Sequence, residues 1–213
     1  AILEKGEKGM KEIIKNALIL MAITLTAGLA LGAVHEITKE PIEAQEKKTK
    51  EEACKAVFPE AESFEAWTDF DAEAALELLA SAGFSADKVD EVSLAEDEKG
   101  EVLGAVLNLT STEGYGGNIS FSMGILKDGT VNGIKILSIS ETAGLGMKAK
   151  DDPNWGKQFA GKKADAFSVV KDGSGSGDDA KIDAISGATI TSKAVTGAMN
   201  SCLAYFQSLE GGN

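Results

Sequence analysis

An uncharged run of eighteen residues near the start of the chain limits its architecture more than any other feature. Residues 17–34 read ALILMAITLTAGLALGAV, in which Thr24 and Thr26 are the only polar side chains. As a helix, this run is roughly 27 Å long, just enough to cross the hydrocarbon core of a membrane. A secretory signal peptide has a shorter apolar stretch followed by a small-residue cleavage site. Here the run continues into His35 and Glu36, so we predict a retained transmembrane helix over residues 17–36.

Lysines before this run set its predicted orientation. Residues 1–16 hold four Lys and three Glu, whereas Lys39 is the only basic residue soon after the run. Because basic flanks stay in the cytoplasm, residues 1–16 are predicted to be cytoplasmic and the rest extracytoplasmic, in an inner or plasma membrane. The first sixteen residues carry +1 and the whole chain −13, which leaves −14 for residues 17–213.

Composition excludes several classes of function. A net charge of −13 argues against nucleic acid as a partner, because such proteins need a basic face. Two cysteines exclude a cysteine-ligated iron–sulfur cluster or a four-Cys zinc site within this chain, and a single histidine argues against a His-based triad. We therefore predict no catalytic residues and no metal site of the chain's own, and chemistry that comes from a cofactor. Cys54 and Cys202 either form a disulfide in an exported domain or stay reduced.

The spacing of apolar residues predicts an α+β fold after the anchor, with a mainly antiparallel sheet and packed helices. Residues 37–88 are predicted to be a juxtamembrane helical region, in which Pro41 opens a new helix and residues 71–82 form another. From residue 89 the period changes to two, which is typical of strands. Glycines and serines in residues 172–178 predict a flexible loop. The predicted strands are 89–94, 102–109, 119–125, 131–139, 167–170 and 182–185, and the predicted helices are a short piece at 155–159 and a final amphipathic helix at 192–209.

Residues 183–192 read DAISGATITS and place hydroxyls where a predicted strand runs into the final helix. A helix N-terminus presents unpaired N–H groups and the positive end of its dipole, which together attract anions. Gly187 and Ala188 leave space for a bulky group beside the backbone, and Thr189 offers a hydroxyl there. On the residues alone, a plain N-cap is the more common role for such hydroxyls.

The same residues resemble the flavinylation motif of FMN-binding domains, in which an acid precedes Ser or Thr, a small residue, Ala and Thr. The resemblance implies that a dedicated flavin transferase joins FMN through a phosphoester to Thr189. Thr191 is a further cofactor-binding candidate and the alternative hydroxyl for attachment. Ala184 departs from the motif, where relatives often have Gly. The positions implied to be recognised or to surround the phosphate are Asp183, Ser186, Gly187 and Ala188.

A second segment, Glu141-Thr142-Ala143-Gly144-Leu145-Gly146, resembles the Glu-Thr-Pro-Gly-Leu-Gly signature of the same domains, with Ala143 in place of Pro. The resemblance implies that this loop lies against the flavin ring. Thr142 and the backbone of Gly144 to Gly146 would bond the ring edge, and Leu145 would pack on the ring face. Glu141 is also a candidate for cofactor binding. Without the flavin motif downstream, Glu141 would be read as a solvated acid and the glycines as a tight turn.

Together with the single anchor, these motifs make nearly the whole chain similar to the RnfG family of flavin subunits in Rnf ferredoxin:NAD oxidoreductase complexes. The resemblance implies a redox subunit without complete activity of its own, which relays electrons through FMN and has other Rnf complex subunits as membrane partners. Residues 89–213 would be the FMN-binding domain. Two alternatives stay open: the flavin subunit of a sodium-pumping NADH:quinone oxidoreductase, and a membrane-tethered binding or scaffold domain without a redox cofactor.

Overall fold

A computed structural model describes the backbone of residues 2–210 and the side chains of residues 12–209. The chain forms two compact units, Ala1–Lys48 and Thr49–Asn213. A single helix, α1, extends over Ile2–Val57. By length and composition, its segment Glu12–Val57 contains a window apolar enough to cross a membrane, and no part of that window is buried within the protein.

Pro41 lies inside α1 rather than at the start of a second helix, so the predicted helix boundary at this residue is wrong. Proline lacks the N–H that would bond the carbonyl one turn earlier. The residues on either side of Pro41 are exposed, so water can satisfy that carbonyl.

A five-stranded antiparallel sheet in the order β1-β2-β3-β4-β5 forms the centre of the second unit, which confirms the predicted fold class. The prediction missed β1, a four-residue strand that pairs with β2. The strands are β1 Ser63–Ala66, β2 Asp87–Glu96, β3 Val102–Ser111, β4 Ile119–Leu126 and β5 Val131–Ser138.

The helices and a small parallel pair of strands complete this unit. The short helices α3 and α4 replace the single predicted piece at residues 155–159, and the last helix begins three residues before its predicted start. These elements are α2 Ala72–Ser81, α3 Lys148–Asp151, α4 Pro153–Gly156, β6 Ser168–Val170, a 3₁₀ turn Ser174–Gly177, β7 Lys181–Asp183 and α5 Thr189–Glu210.

One face of the sheet packs against α2 and α5. Val195, Met199 and Leu203 of α5 are buried in one cluster with Leu107 and Phe121 of the sheet. Cys202 belongs to the same cluster, and burial raises the pKa of its thiol. Cys202 and Cys54 are both buried and free.

The opposite face of the sheet receives the end of α1. Val57 and Phe58 pack in a recess formed by glycines on three neighbouring strands. A Cβ on Gly104 would lie 2.8 Å from the Phe58 ring, and one on Gly124 would lie 2.9 Å from the Val57 carbonyl oxygen. Gly104 and Gly124 are therefore needed because a side chain at either position would push against Phe58 or Val57. The third member of the recess is Gly133 of β5.

The glycine- and serine-rich segment 172–178 is held in place, so the prediction of a flexible loop is wrong. The buried Lys162 ammonium donates to the carbonyl oxygens of Gly175 at 2.7 Å, Asp178 at 2.6 Å and Lys181 at 2.8 Å. The carboxylate of Asp183 accepts from the N–H of Gly175 at 3.1 Å. Composition alone did not indicate this order, because the contacts come from residues outside the segment.

Replacing Asp87 by asparagine is expected to stabilise the protein at neutral pH. Asp87 is 4% exposed, and its Oδ1 has no hydrogen-bond partner among the described residues. Burial raises the pKa of this carboxyl, although the hydroxyls of Ser111 and Ser201 act in the opposite direction. A raised pKa contributes stability below the unfolded value of 3.8, and this contribution is lost as pH rises through the folded value. Asp87→Asn should therefore add about 1 kcal/mol to the free energy of unfolding at pH 7.

The test is thermal unfolding of Asp87→Asn and of the unchanged protein between pH 4 and pH 8. The stabilisation should shrink as pH falls towards 4. Asp165→Asn removes an exposed carboxylate and is the matched control, for which little change is expected. An Asp87→Asn protein no more stable than the control at pH 7 would show that the buried carboxyl is satisfied.

Candidate functional site

A cavity of about 570 Å³ brings the two sequence motifs together. Its walls come from the turn before β4, the 141–146 loop and the start of α5. This volume is within the range of roughly 300–1,000 Å³ that is usual for ligand sites. The lining residues are Tyr115, Glu141, Thr142, Leu145, Gly146, Gly187, Ala188, Thr189, Ile190 and Thr191.

A sharp turn at residues 186–187 ends the extended chain and starts α5. Gly187 has a positive φ of 78°, a conformation that disfavours other residues, and the Ala188 N–H donates to the Ile185 carbonyl at 2.9 Å. The first helical bond runs from the Ser192 N–H to the Ala188 carbonyl at 3.0 Å. The Ser192 hydroxyl also accepts from the Ile185 N–H at 2.9 Å. The hydroxyl that stabilises this turn is therefore that of Ser192.

Thr189 is the first residue of α5 and lines the cavity with its side chain partly exposed. The N–H groups of residues 189–191 precede the first helical hydrogen bond, at the positive end of the helix dipole. Thr191 differs from Thr189, because its residue is 2% exposed and its hydroxyl donates to Glu141 Oε2 at 3.0 Å. Of the two candidate residues, Thr189 is therefore the more exposed.

Glu141 is buried rather than solvated. Besides the Thr191 hydroxyl, its carboxylate accepts from the N–H of Gly116 at 3.1 Å through Oε1. Gly146 packs directly on this pair: a Cβ there would lie 2.5 Å from Thr191 Oγ1 and 2.7 Å from Glu141 Oε2. Position 146 therefore requires glycine because its backbone packs closely against the side chains of Glu141 and Thr191.

The other predicted site residues divide into two groups. Thr142 and Leu145 line the cavity and are exposed, as the rim of a site requires, and Gly187 lies beneath Leu145. Asp183, Ser186 and Gly144 are not among the lining residues. The Asp183 carboxylate bonds Gly175, and its backbone carbonyl accepts from Trp155 Nε1 at 2.9 Å. Asp183 therefore lies outside the cavity and stabilises the segment that leads to it.

Sequence reasoning did not select Tyr115 and Ile190 as site residues, although both line the cavity. Tyr115 is 70% exposed and Ile190 54% exposed. The sequence did offer a signal for each of them. Tyr115 is an aromatic residue between the glycines of a turn, and Ile190 is an apolar residue in the first turn of a helix. Within residues 12–209, no cluster of three or more His, Cys, Asp or Glu side chains is arranged to hold a metal ion.

Two family models match the chain. Residues 114–204 match the FMN-binding domain, and residues 7–57 match the RnfG N-terminal region. The first match contains every residue that lines the cavity, and the second lies within α1.

Curated relatives agree with these models. The chain is 35% identical to the G subunit of the Na⁺-translocating ferredoxin:NAD⁺ oxidoreductase complex of Acetobacterium woodii, over 97% of both chains. It is 40% identical to the G subunit of the proton-translocating ferredoxin:NAD⁺ oxidoreductase complex of Clostridium ljungdahlii, over 60% of this chain and 69% of the relative. The crystal structure of Shewanella oneidensis NqrC is 25% identical, covers 57% of this chain and 61% of its own, and has a TM-score of 0.47. Through its full-length similarity and its two family models, the chain belongs to the RnfG family of ion-translocating ferredoxin:NAD⁺ oxidoreductase complexes.

Proposed function

We propose that the chain carries FMN, attached covalently to Thr189, and relays electrons within a membrane-bound, ion-translocating ferredoxin:NAD⁺ oxidoreductase. One observation carries this proposal above the others. Thr189 lines the cavity at the N-terminus of α5 and is partly exposed, whereas Thr191 is buried and its hydroxyl is bonded to Glu141.

The lining residues suit an aromatic nucleotide. Backbone N–H groups at the start of α5 favour the phosphate, which is an anion. Leu145, Ile190 and Tyr115 supply apolar and aromatic surface at the rim for a flat ring. When bound, FMN supplies the redox chemistry, and the protein orients it and adjusts its electronic environment. The tether keeps the nucleotide in an open site whatever its affinity.

Attachment requires the Thr189 hydroxyl to act as a nucleophile. Its oxygen would attack the phosphorus of a flavin nucleotide that carries a phosphoanhydride. A Thr189 O–P bond would form and the anhydride P–O bond would break; the departing nucleoside monophosphate would keep the electron pair, and the hydroxyl proton would pass to a base. Among the described residues that line the cavity, Glu141 is the one carboxylate, and it already accepts one hydrogen bond on each oxygen. A separate flavin transferase is therefore the proposed partner in maturation.

The remaining assignments follow from the membrane anchor and the family. Residues 17–36 are proposed to span an inner or plasma membrane, with residues 1–16 in the cytoplasm and the FMN domain, residues 89–213, outside it. The juxtamembrane region is residues 37–88. Other Rnf complex subunits are the proposed membrane partners, and no nucleic acid is involved. The chain acts as one redox subunit of the complex and has no complete catalytic activity alone.

Mass mapping of the protein from membranes tests the proposal. The full chain is produced together with a flavin transferase, denatured, digested and analysed by tandem mass spectrometry. The expected result is an FMN phosphoester on the peptide that contains residues 183–192, with fragment ions placing it on Thr189. An adduct on Thr191 would move the site, and a bare polypeptide would leave a tethered binding or scaffold domain as the function.

A further inference from the structure

Glu141 connects three separate segments of the chain at the wall of the cavity. Its Oε1 accepts from Gly116, 25 residues earlier, and its Oε2 accepts from Thr191, 50 residues later. The residue is 9% exposed. One carboxylate therefore joins the turn before β4, the 141–146 loop and the first turn of α5, which are the three walls of the cavity.

The surroundings of this carboxylate are tightly packed and contain neutral donors. A Cβ on Gly114 would lie 2.9 Å from Oε1, so the backbone closes over the carboxylate on that side as Gly146 does on the other. None of the ion pairs found among residues 12–209 includes Glu141. An acidic group that is mostly buried and belongs to none of these ion pairs acts on its neighbours through a medium that screens charge less than bulk water does.

We propose that Glu141 is a positioning residue for Thr189 and that its carboxylate lowers the reduction potential of the attached flavin. The inference rests on the proposed attachment of FMN at Thr189. Thr191 lies in the same helical turn as Thr189, so the bond from Thr191 to Glu141 fixes the rotation of that turn and the direction in which the Thr189 hydroxyl points. The negative charge in the wall opposes the addition of electrons beside it.

Two substitutions separate the two effects. Glu141→Ala removes both hydrogen bonds, so the three walls of the cavity are no longer joined by this side chain. Covalent flavin per chain should therefore fall roughly tenfold, which corresponds to the loss of one such hydrogen bond. Glu141→Gln keeps the size of the side chain: its oxygen can accept from Gly116 and its amide can donate to the Thr191 oxygen. That variant should load flavin like the unchanged chain, and its potential should shift to a more positive value.

The experiment uses the full chain produced with a flavin transferase and solubilised in detergent. Covalent flavin is measured by fluorescence of the denatured band, and the potential by spectroelectrochemistry of the loaded fraction. Thr191→Val, which removes one bond and keeps the carboxylate, should lower the yield without the positive shift. Glu113→Gln removes an exposed carboxylate outside the cavity lining, so it should change neither measurement.

The outcomes are separable. If Glu141→Ala loads as much flavin as the unchanged chain, the positioning role is overturned. If Glu141→Gln shows the same potential as the unchanged chain, the electrostatic role is overturned, and this measurement stands even where Glu141→Ala fails to fold. An unchanged chain that carries no flavin overturns the proposed function itself, which is a different result from a loaded chain that is insensitive to Glu141.

Discussion

Replacing Thr189 by valine is expected to abolish covalent flavin completely while the protein keeps its fold. Valine has nearly the same shape as threonine but lacks the oxygen that a phosphoester requires. Thr189 is only partly buried and its hydroxyl makes no hydrogen bond among those found within residues 12–209. The change in the free energy of unfolding should therefore stay within about 0.5 kcal/mol. Fluorescence of the denatured band measures the flavin, and circular dichroism with thermal unfolding measures the fold.

Thr196→Val is the matched control for this substitution. Thr196 lies on the same helix, is buried, and has a hydroxyl without a hydrogen-bond partner among the described residues. Removing an unsatisfied buried hydroxyl is neutral or stabilising. The control should therefore keep full flavin and equal or greater stability. Covalent flavin that persists in Thr189→Val would exclude this residue as the attachment point, whatever the control does.

Replacing Lys162 by methionine is expected to destabilise the protein by about 3 kcal/mol, because hydrogen bonds to a charged group are worth about 1.5–3 kcal/mol each. Methionine fills similar space but cannot donate, so the carbonyl oxygens of Gly175, Asp178 and Lys181 lose a common donor. Those carbonyls belong to the segment that leads through β7 towards the cavity. Thermal unfolding should show the loss, and amide hydrogen exchange should rise over residues 172–181.

The neighbouring residue provides the control. The side chain of Lys163 is 61% exposed and its ammonium lies 3.9 Å from Asp128 Oδ2. An exposed ion pair at this distance contributes little, so Lys163→Met should change the free energy of unfolding by less than about 0.5 kcal/mol. Equal stability of the two variants would mean that water replaces the Lys162 ammonium without loss.

The sequence predicted regular elements well and long-range contacts poorly. Strands β3 and β4 begin at the predicted residues because alternating apolar residues report the buried face of a sheet directly. The same reasoning missed β1, which has four residues and is defined by its pairing with β2. The order of segment 172–178 depends on Lys162, which no local pattern reveals.

The candidate site shows the same division. The two motifs identified most of the lining residues, since short motifs retain the chemistry that a cofactor needs. The first motif implied Thr189 as the attachment residue, but neither motif showed that the hydroxyl of Thr191, two residues later, is buried and bonded. That contact comes from Glu141, 50 residues from Thr191 along the chain. The difference between Thr189 and Thr191 therefore depends on a tertiary contact, which a local sequence pattern does not reveal.

The glycine recess beneath Val57 and Phe58 determines which fragments of this protein can be prepared without detergent. A fragment that starts after residue 58 would leave Gly104, Gly124 and the apolar side chains around them uncovered on one face of the sheet. Such surfaces promote self-association. Asn132, whose side-chain amide donates to the Val57 carbonyl at 2.6 Å and to Glu60 Oε1 at 3.0 Å, would also lose the first of these two acceptors. Truncations for crystallography or NMR should therefore begin near Thr49, so that the last turns of α1 still cover this face of the sheet.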